Sequence, residues 1–407
     1  MGRKKHQRFS FRRLRYSLFL KLKIAKDRVE IFFQVPKYYR AVIKLRECKK
    51  SRRGIWADLL ELYYRYKLPP EAYYLCRLWE VKKSDWKYYF GSPYREPQRS
   101  RLQQKVQPAE YQILFADKSV CEKLCKGVGV KMPRTLGIIG PDQNYKEKIP
   151  YLLNQSPEQK FIIKPIKGRG GGGIVLARKN GNEILIQLQN KTITLNEFNL
   201  LEESLIQEAI LQDKRMSLFS PYSVNTIRVV TMYTKTDFVI IVAALFRCGI
   251  GESYVDNWSA GGVAVGIDIE AGKLQRFAYD KNGIRYTEHP TLKVKFENFV
   301  IPEWQAIIDL SKKVQTAFSC FRMLGLDIAL RENGEPILIE INDVPDLLGQ
   351  EQMCGPLLKI DKNLRAFGEY DLLINKYQRE LYRNLLKKET TAAKEKEQDA
   401  LKWSKRQ

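Results

Sequence analysis

The stretch Asp327-Ile-Ala-Leu-Arg-Glu-Asn-Gly-Glu-Pro-Ile-Leu-Ile-Glu-Ile-Asn342 decides how the rest of the chain is read. Its two apolar runs flank an Asn-Gly step, which predicts a β-hairpin. Side chains alternate along a strand, so Glu340 and Asn342 share a face. Asp327 comes to that face once the turn pairs the strands. A carboxylate inside Ile-Leu-Ile-Glu-Ile is costly unless a cation or hydrogen bonds offset it. Three oxygen donors on one face suit Mg²⁺, which takes few protein ligands and fills its octahedron with water and phosphate oxygens. Asp327, Glu340 and Asn342 are therefore expected to hold a metal. The plainer alternative is the ordinary polar face of a hairpin, and Glu340 argues against it.

A second signal lies upstream. The apolar run Phe161-Ile-Ile163 ends at Lys164-Pro165, and Gly168-Arg-Gly-Gly-Gly-Gly173 follows before Ile174-Val-Leu176 returns. Glycines let backbone N–H groups approach phosphate oxygens, and Lys164 adds a positive charge at the base of the loop. No Gly-Lys-Ser/Thr ends the run, so it is not a P-loop. A glycine run alone is a flexible turn; the lysine at a strand end is what turns the reading towards phosphate. Around these motifs, residues 117–126 and 303–323 carry helical spacing. Residues 183–188, 205–210, 227–233 and 238–245 read as strands.

The chain has 407 residues, 44% of them hydrophobic, enough for two or three packed domains. Its net charge is +25, but residues 1–53 hold 19 Lys/Arg against Asp27, Glu30 and Glu47 only, and so carry +16. Residues 1–105 read as a basic helical region; Pro69-Pro70-Glu71 marks one helix start. Nothing approaches the ~18 consecutive apolar residues of a membrane span. Lys21 and Lys23 interrupt the early apolar run, which argues against an export signal. The seven scattered cysteines read as reduced thiols of a cytoplasmic protein. Cys121 and Cys125 lie one turn apart, but with His6 and His289 as the only histidines a zinc site lacks ligands. Residues 361–407 are charged and helix-prone.

Taken together, these residues resemble the ATP-grasp superfamily over roughly 106–355. The likeness comprises Lys118, Lys164 with Gly168 to Gly173, Gln207-Glu208-Ala209-Ile210 at a strand end, and Asp327 with Glu340-Ile-Asn342. Ser223-Val-Asn-Thr-Ile-Arg228, Asp256-Asn-Trp-Ser-Ala-Gly-Gly262, His289-Pro290 and Ile339-Glu-Ile-Asn-Asp-Val-Pro-Asp346 are similar to the sugar-transfer-associated branch, found largely in bacterial polysaccharide gene clusters. The resemblance implies an α+β fold whose two lobes clamp ATP, preceded by the basic helical region and followed by a helical tail. Its expected divisions are 1–105, 106–205, 206–375 and 376–407. It implies phosphate contacts from Lys118, Lys164, Gly168, Arg169, Gly170, Gly171 and Gly172. It further implies adenine and ribose contacts from Gln207, Glu208, Ala209 and Ile210, with ATP and Mg²⁺ as cofactors. Arg228 and Asn225, at a strand start, are the candidate catalytic residues. Arginine there suits a carboxylate or the charge of a transferring phosphoryl group, the alternative being a buried ion pair. Asp256, Asn257, Ser259 and Gly261-Gly262 form either a loop over the site or a tight turn. His289, alone before proline, is read as structural more than catalytic.

The implied activity is that of a carboxylate–amine ligase working through an acyl phosphate, with an amino acid and a sugar acid as substrates. A sugar phosphotransferase is the enzymatic alternative. A non-catalytic binder of nucleic acid or membrane is the other. The glycine loop and the metal set do not follow from nucleic-acid binding, which is therefore disfavoured. An anionic membrane surface suits residues 1–53, placing the protein in the cytoplasm at the inner face of the membrane.

Overall fold

A computed structural model of the chain gives the backbone of residues 2–404 apart from 142–143, 169–171, 189–190, 252–257 and 259–260, and the side chains within 18–396. The chain forms two compact units, one of residues 1–105 with 346–407 and one of residues 106–345. The α+β expectation holds, and helices stand at both ends of the chain.

The first unit opens with α1 (Gly2–Phe33), α2 (Val35–Leu45), α3 (Arg52–Glu61), α4 (Pro70–Leu75) and α5 (Gln98–Lys105). Local chemistry sets their starts. Ser51 caps α3 by accepting the Gly54 N–H at 3.1 Å, and Pro70 occupies the first turn of α4. Asp58 is buried yet charged. Burial works against its ionisation, but Lys50 at 2.6 Å, Lys83 at 2.7 Å and the Tyr73 hydroxyl at 2.8 Å hold its pKa below the usual carboxylate range.

The second unit contains two antiparallel sheets. The smaller comprises β1 (Thr135–Ile139), β2 (Lys160–Pro165), β3 (Val175–Asn180), β4 (Glu183–Leu188), β5 (Lys191–Thr194) and β6 (Ser204–Glu208) in the order β1-β6-β2-β3-β4-β5. The short α6 (Ile113–Ala116) and α7 (Lys118–Gly127) precede it, and α8 (Tyr145–Gln155) follows β1. Ile149 and Leu153 of α8 share a buried cluster with Phe161, Ile163 and Ile206. The larger sheet holds β7 (Thr226–Tyr233), β8 (Val239–Cys248), β9 (Val263–Asp268), β10 (Lys273–Tyr279), β11 (Arg285–Tyr286), β12 (Met323–Leu330) and β13 (Pro336–Asn342), in the order β11-β10-β9-β8-β7-β12-β13. Helix α9 (Trp304–Ala317) packs Ile307 and Val314 into the cluster under this sheet, with Val229, Leu326 and Ile328. It stops short of the expected residue 323, because Phe318 and Phe321 bury themselves from a turn.

The chain then returns to the first unit through α10 (Leu347–Cys354), α11 (Asp361–Glu369) and α12 (Lys376–Ser404). Residues 346–375, read from the sequence with the second lobe, group here. Leu372, Leu373 and Ile374 are buried, and Asn375 donates its amide to the Tyr66 carbonyl at 2.8 Å.

Candidate active site

The hairpin β12–β13 aligns its chemistry by register. Asp327 pairs across to Glu340 on one side and to Arg228 of β7 on the other, while Asn342 pairs to Gly325. Directly opposed residues share a face, so Arg228, Asp327 and Glu340 stand in a row. Arg228 donates Nε and Nη2 to the two oxygens of Asp327, the latter at 2.7 Å. Arg247 of β8 reaches the same carboxylate with Nη2 at 3.0 Å and donates Nε to Thr226 Oγ1 at 2.9 Å. Burial opposes the charge on Asp327, and the two guanidiniums outweigh it, so its pKa lies below the ordinary value. Glu340 goes the other way. Burial and the Asp327 charge push its pKa up, against the pull of Arg228, Lys118 and Lys164.

Of those lysines, Lys164 comes from the smaller sheet and Lys118 from the start of α7. Lys164, the residue before the end of β2, is 7% exposed, and burial pushes its pKa down to about 8 despite the attraction of Glu340. Among the described residues its ammonium has no hydrogen-bonded or ion-paired partner. Lys118 opens α7 behind its cap Asp117, which accepts the Ser119 N–H at 2.9 Å. Its Nζ donates to the Gly168 carbonyl at 3.1 Å, and its N–H to the Ile166 carbonyl at 3.1 Å, so the stem of the glycine loop is tied to this helix start. Burial lowers the Lys118 pKa as well. Gly173 has φ +74°, and an added Cβ would come within 2.8 Å of Pro165, so the loop re-enters β3 only with glycine there. Gly172 faces open space; Arg169, Gly170 and Gly171 lie outside the described residues. A 140 Å³ pocket runs among Phe115, Lys167, Gly168, Glu340, Asn342 and Asp343.

A family model for sugar-transfer-associated ATP-grasp proteins matches residues 97–361. The chain belongs to the sugar-transfer-associated ATP-grasp family. No curated protein matches it. Among solved structures it is similar to N5-carboxyaminoimidazole ribonucleotide synthetase from Thermotoga maritima, at 10% identity and TM-score 0.34, over 61% of this chain and 52% of that one. It is similar to D-alanine-D-alanine ligase from Helicobacter pylori, at 14% and 0.36, over 64% and 60%. It is also similar to D-alanyl-alanine synthetase A from Vibrio cholerae, at 11% and 0.38, over 64% and 63%. The chain thus spans between half and two thirds of the length of these proteins.

The residues present in this ATP-grasp chain fit a magnesium nucleotide. Asn342 Nδ2 is buried without a hydrogen-bond partner, and Lys164 is a buried cation. Among the described residues no three His, Cys, Asp or Glu side chains converge as a metal cluster. The donor set is two carboxylates and an amide, which suits an ion that keeps much of its shell in water and phosphate. Asp327 is at the same time engaged by two arginines.

The segment from Gln207 to Ile210 divides. Gln207 pairs with Ile162 and Leu205 with Lys164, so Gln207 lies on the lysine face and Glu208 on the opposite one. The Gln207 amide donates to Thr135 Oγ1 at 3.2 Å and the Pro133 carbonyl at 3.3 Å. Glu208 accepts from Arg331 Nη2 at 2.5 Å and lines, with Ala209, Ile210, Leu211, Arg134 and Asn333, a cleft of about 460 Å³. Asn225 is buried. Its amide donates to the carbonyls of Met216 at 2.8 Å and Ser220 at 3.1 Å, tying down the loop before β7 rather than reaching into the row of charges. His289 is fully engaged, with Nε2 2.8 Å from the Gly249 carbonyl and Nδ1 accepting the Leu292 N–H at 3.2 Å. Asp256, Asn257 and Ser259 lie outside the described residues. Arg247 was not anticipated from the sequence.

Proposed function

We propose that this protein is a Mg·ATP-dependent carboxylate–amine ligase of bacterial surface polysaccharide biosynthesis, joining an amino acid and a sugar acid through an acyl phosphate. The observation that supports it most is the approach of Lys164 from the smaller sheet and Lys118 from the start of α7 to Asp327, Glu340 and Arg228 of the larger sheet. Lys118 and Lys164 grip the ATP phosphates as charge-assisted donors, and backbone N–H groups from Gly168 to Gly172, Arg169 included, complete the cradle. The backbone of Gln207 to Ile210 borders the adenine end. Asp327, Glu340 and Asn342 hold Mg²⁺, which when bound neutralises phosphate charge. Arg228 orients the carboxylate that accepts the phosphoryl group. Asn225 serves as a positioning residue that fixes the start of β7 and so the place of Arg228. The protein works in the cytoplasm, at the inner face of the membrane, on small or sugar-linked carboxylates and amines.

The test uses Lys164→Ala and Glu340→Gln, with circular dichroism as the folding control. Lys164→Ala weakens Mg·ATP binding by about 1.5–3 kcal/mol in titration calorimetry. Glu340→Gln lowers ADP release roughly 10²–10³-fold in a screen over amino acids and uronic acids. Folded variants that bind and turn over ATP like the parent would sink the reading. Product analysis then separates an amide with free phosphate from a phosphorylated sugar, which would make the protein a phosphotransferase.

A further inference from the structure

Over its described side chains, residues 18–33, helix α1 has two apolar faces, one covered and one exposed. Ile31 is fully buried, and its neighbours on that side fix how the helix is rolled. Arg28 donates Nη2 to the Tyr63 carbonyl at 2.6 Å and stacks its guanidinium 3.8 Å from the Tyr63 ring centre. Tyr63 returns its hydroxyl to the Arg28 carbonyl at 2.6 Å, and Asp27 accepts the Glu96 N–H at 2.9 Å. With the roll fixed, Leu18, Leu22, Ala25, Val29 and Phe33 run down the opposite side at steps of four, three, four and four residues. Leu18, Leu22, Val29 and Phe33 are 55–74% exposed, and Phe19 beside them 64%. Lys21, Lys23 and Lys26 flank the stripe, all exposed. An exposed aliphatic row of this length is not surface noise.

We infer that the outward face of α1 is a docking surface for an anionic lipid bilayer, on which the helix lies in the plane of the interface. This deepens the membrane placement given above and is independent of the ligase chemistry. Two observations select the occupant. The stripe is hydrocarbon, which the sugar–phosphate surface of a nucleic acid does not complement. The +16 carried by residues 1–53 repels a second copy of the same segment but attracts acidic headgroups. The lysines beside the row can lay their methylene stems along the apolar layer with the ammonium groups among the phosphates. Among the described residues no helix is long and apolar enough to cross a membrane, so the contact is peripheral.

The experiment floats the full chain on vesicles of equal phosphatidylglycerol and phosphatidylcholine, against phosphatidylcholine alone. The parent is expected to float with the anionic vesicles and stay behind with the neutral ones. The triple variant Leu22→Gln, Val29→Gln, Phe33→Gln keeps every charge and should lose at least about tenfold in partition. Phe33→Leu should retain it. These side chains are exposed, so the fold and ATP binding, read by circular dichroism and calorimetry, should be unchanged. Lys21→Gln with Lys23→Gln and Lys26→Gln should weaken partition and flatten its salt dependence. Equal flotation of the triple variant and the parent would overturn the proposal, as would equal binding to neutral vesicles. Dimerisation of the parent that the triple variant abolishes would assign the face to a second copy and overturn it too. Loss of Mg·ATP binding by Lys164→Ala and of ADP release by Glu340→Gln leaves flotation untouched, so the two readings fail separately.

Discussion

Lys164 is a cation kept out of water without a counter-ion at hydrogen-bonding distance among the described residues. Its pKa of about 8 means that near neutrality most of it is still protonated, and that this is lost within a small rise in pH. Phosphate binds the ammonium and raises its pKa, so binding takes up a proton above pH 8. Mg·ATP affinity is therefore expected to fall as pH rises through about 8, and calorimetry in two buffers of different ionisation enthalpy should register the proton uptake. Lys164→Arg stays charged throughout and should remove the falling limb wherever it binds at all. A parent whose affinity is flat from about pH 7 to 9.5 would show that the lysine does not bind as a cation. At this scale the sequence is informative where a residue breaks its surroundings. Glu340 stands out because it interrupts an apolar run, and Lys164 because it sits between an apolar run and glycines. Arg247 ends Ile-Val-Ala-Ala-Leu-Phe, where nothing marks it. Its role as a second partner of Asp327 comes from register across three strands, which spacing along the chain does not contain.

Helix α10 shows what an element hides. Every residue from Leu347 to Met353 is buried, so no polar face alternates with an apolar one and the helix has no amphipathic period to read. Helix α8 was missed for another reason: Pro150 lies inside it and reads as a breaker. The hairpin 327–342 was legible because turn chemistry and strand pattern agreed. Within α10, Glu351 accepts N–H bonds from Phe90 at 2.6 Å, Gly91 at 2.8 Å and Leu357 at 3.4 Å. Burial nevertheless pushes its pKa up to about 8. A folded carboxylate pKa above its unfolded value gives stability that is present at low pH and lost as pH rises through the folded value. Glu351→Gln, which cannot ionise and turns an amide donor towards backbone N–H groups, should be less stable than the parent at pH 5 by about 1–3 kcal/mol. That gap should narrow by pH 8 in thermal melts. A gap that widens with pH would mean that the three N–H donors, not burial, govern the carboxylate.

In the whole molecule, the two hydrophobic clusters of the second unit draw all their residues from 106–345. The first unit is assembled from both ends of the sequence. A chain stopped at Pro345 is therefore expected to lose the protease resistance of residues 1–105, while residues 106–345 keep their fold and, if the nucleotide site is as proposed, bind Mg·ATP. Digestion of both parts together would show that the second unit cannot stand alone. Local texture suggests the helical start and individual strands of the middle, and the resemblance implies its two lobes, but joining residues 346–407 to 1–105 depends on buried contacts such as Gln378 with the Tyr89 carbonyl at 2.8 Å, across a separation that no local pattern records. This has a consequence for biosynthesis. The ribosome delivers α1 to α5 before the whole of residues 106–345, and the helices that complete their core only after it. At roughly 5–20 residues per second that interval is about 10–50 s. For that time the basic N-terminal helices wait half-built, their apolar sides open to chaperones, while the domain behind them finishes folding.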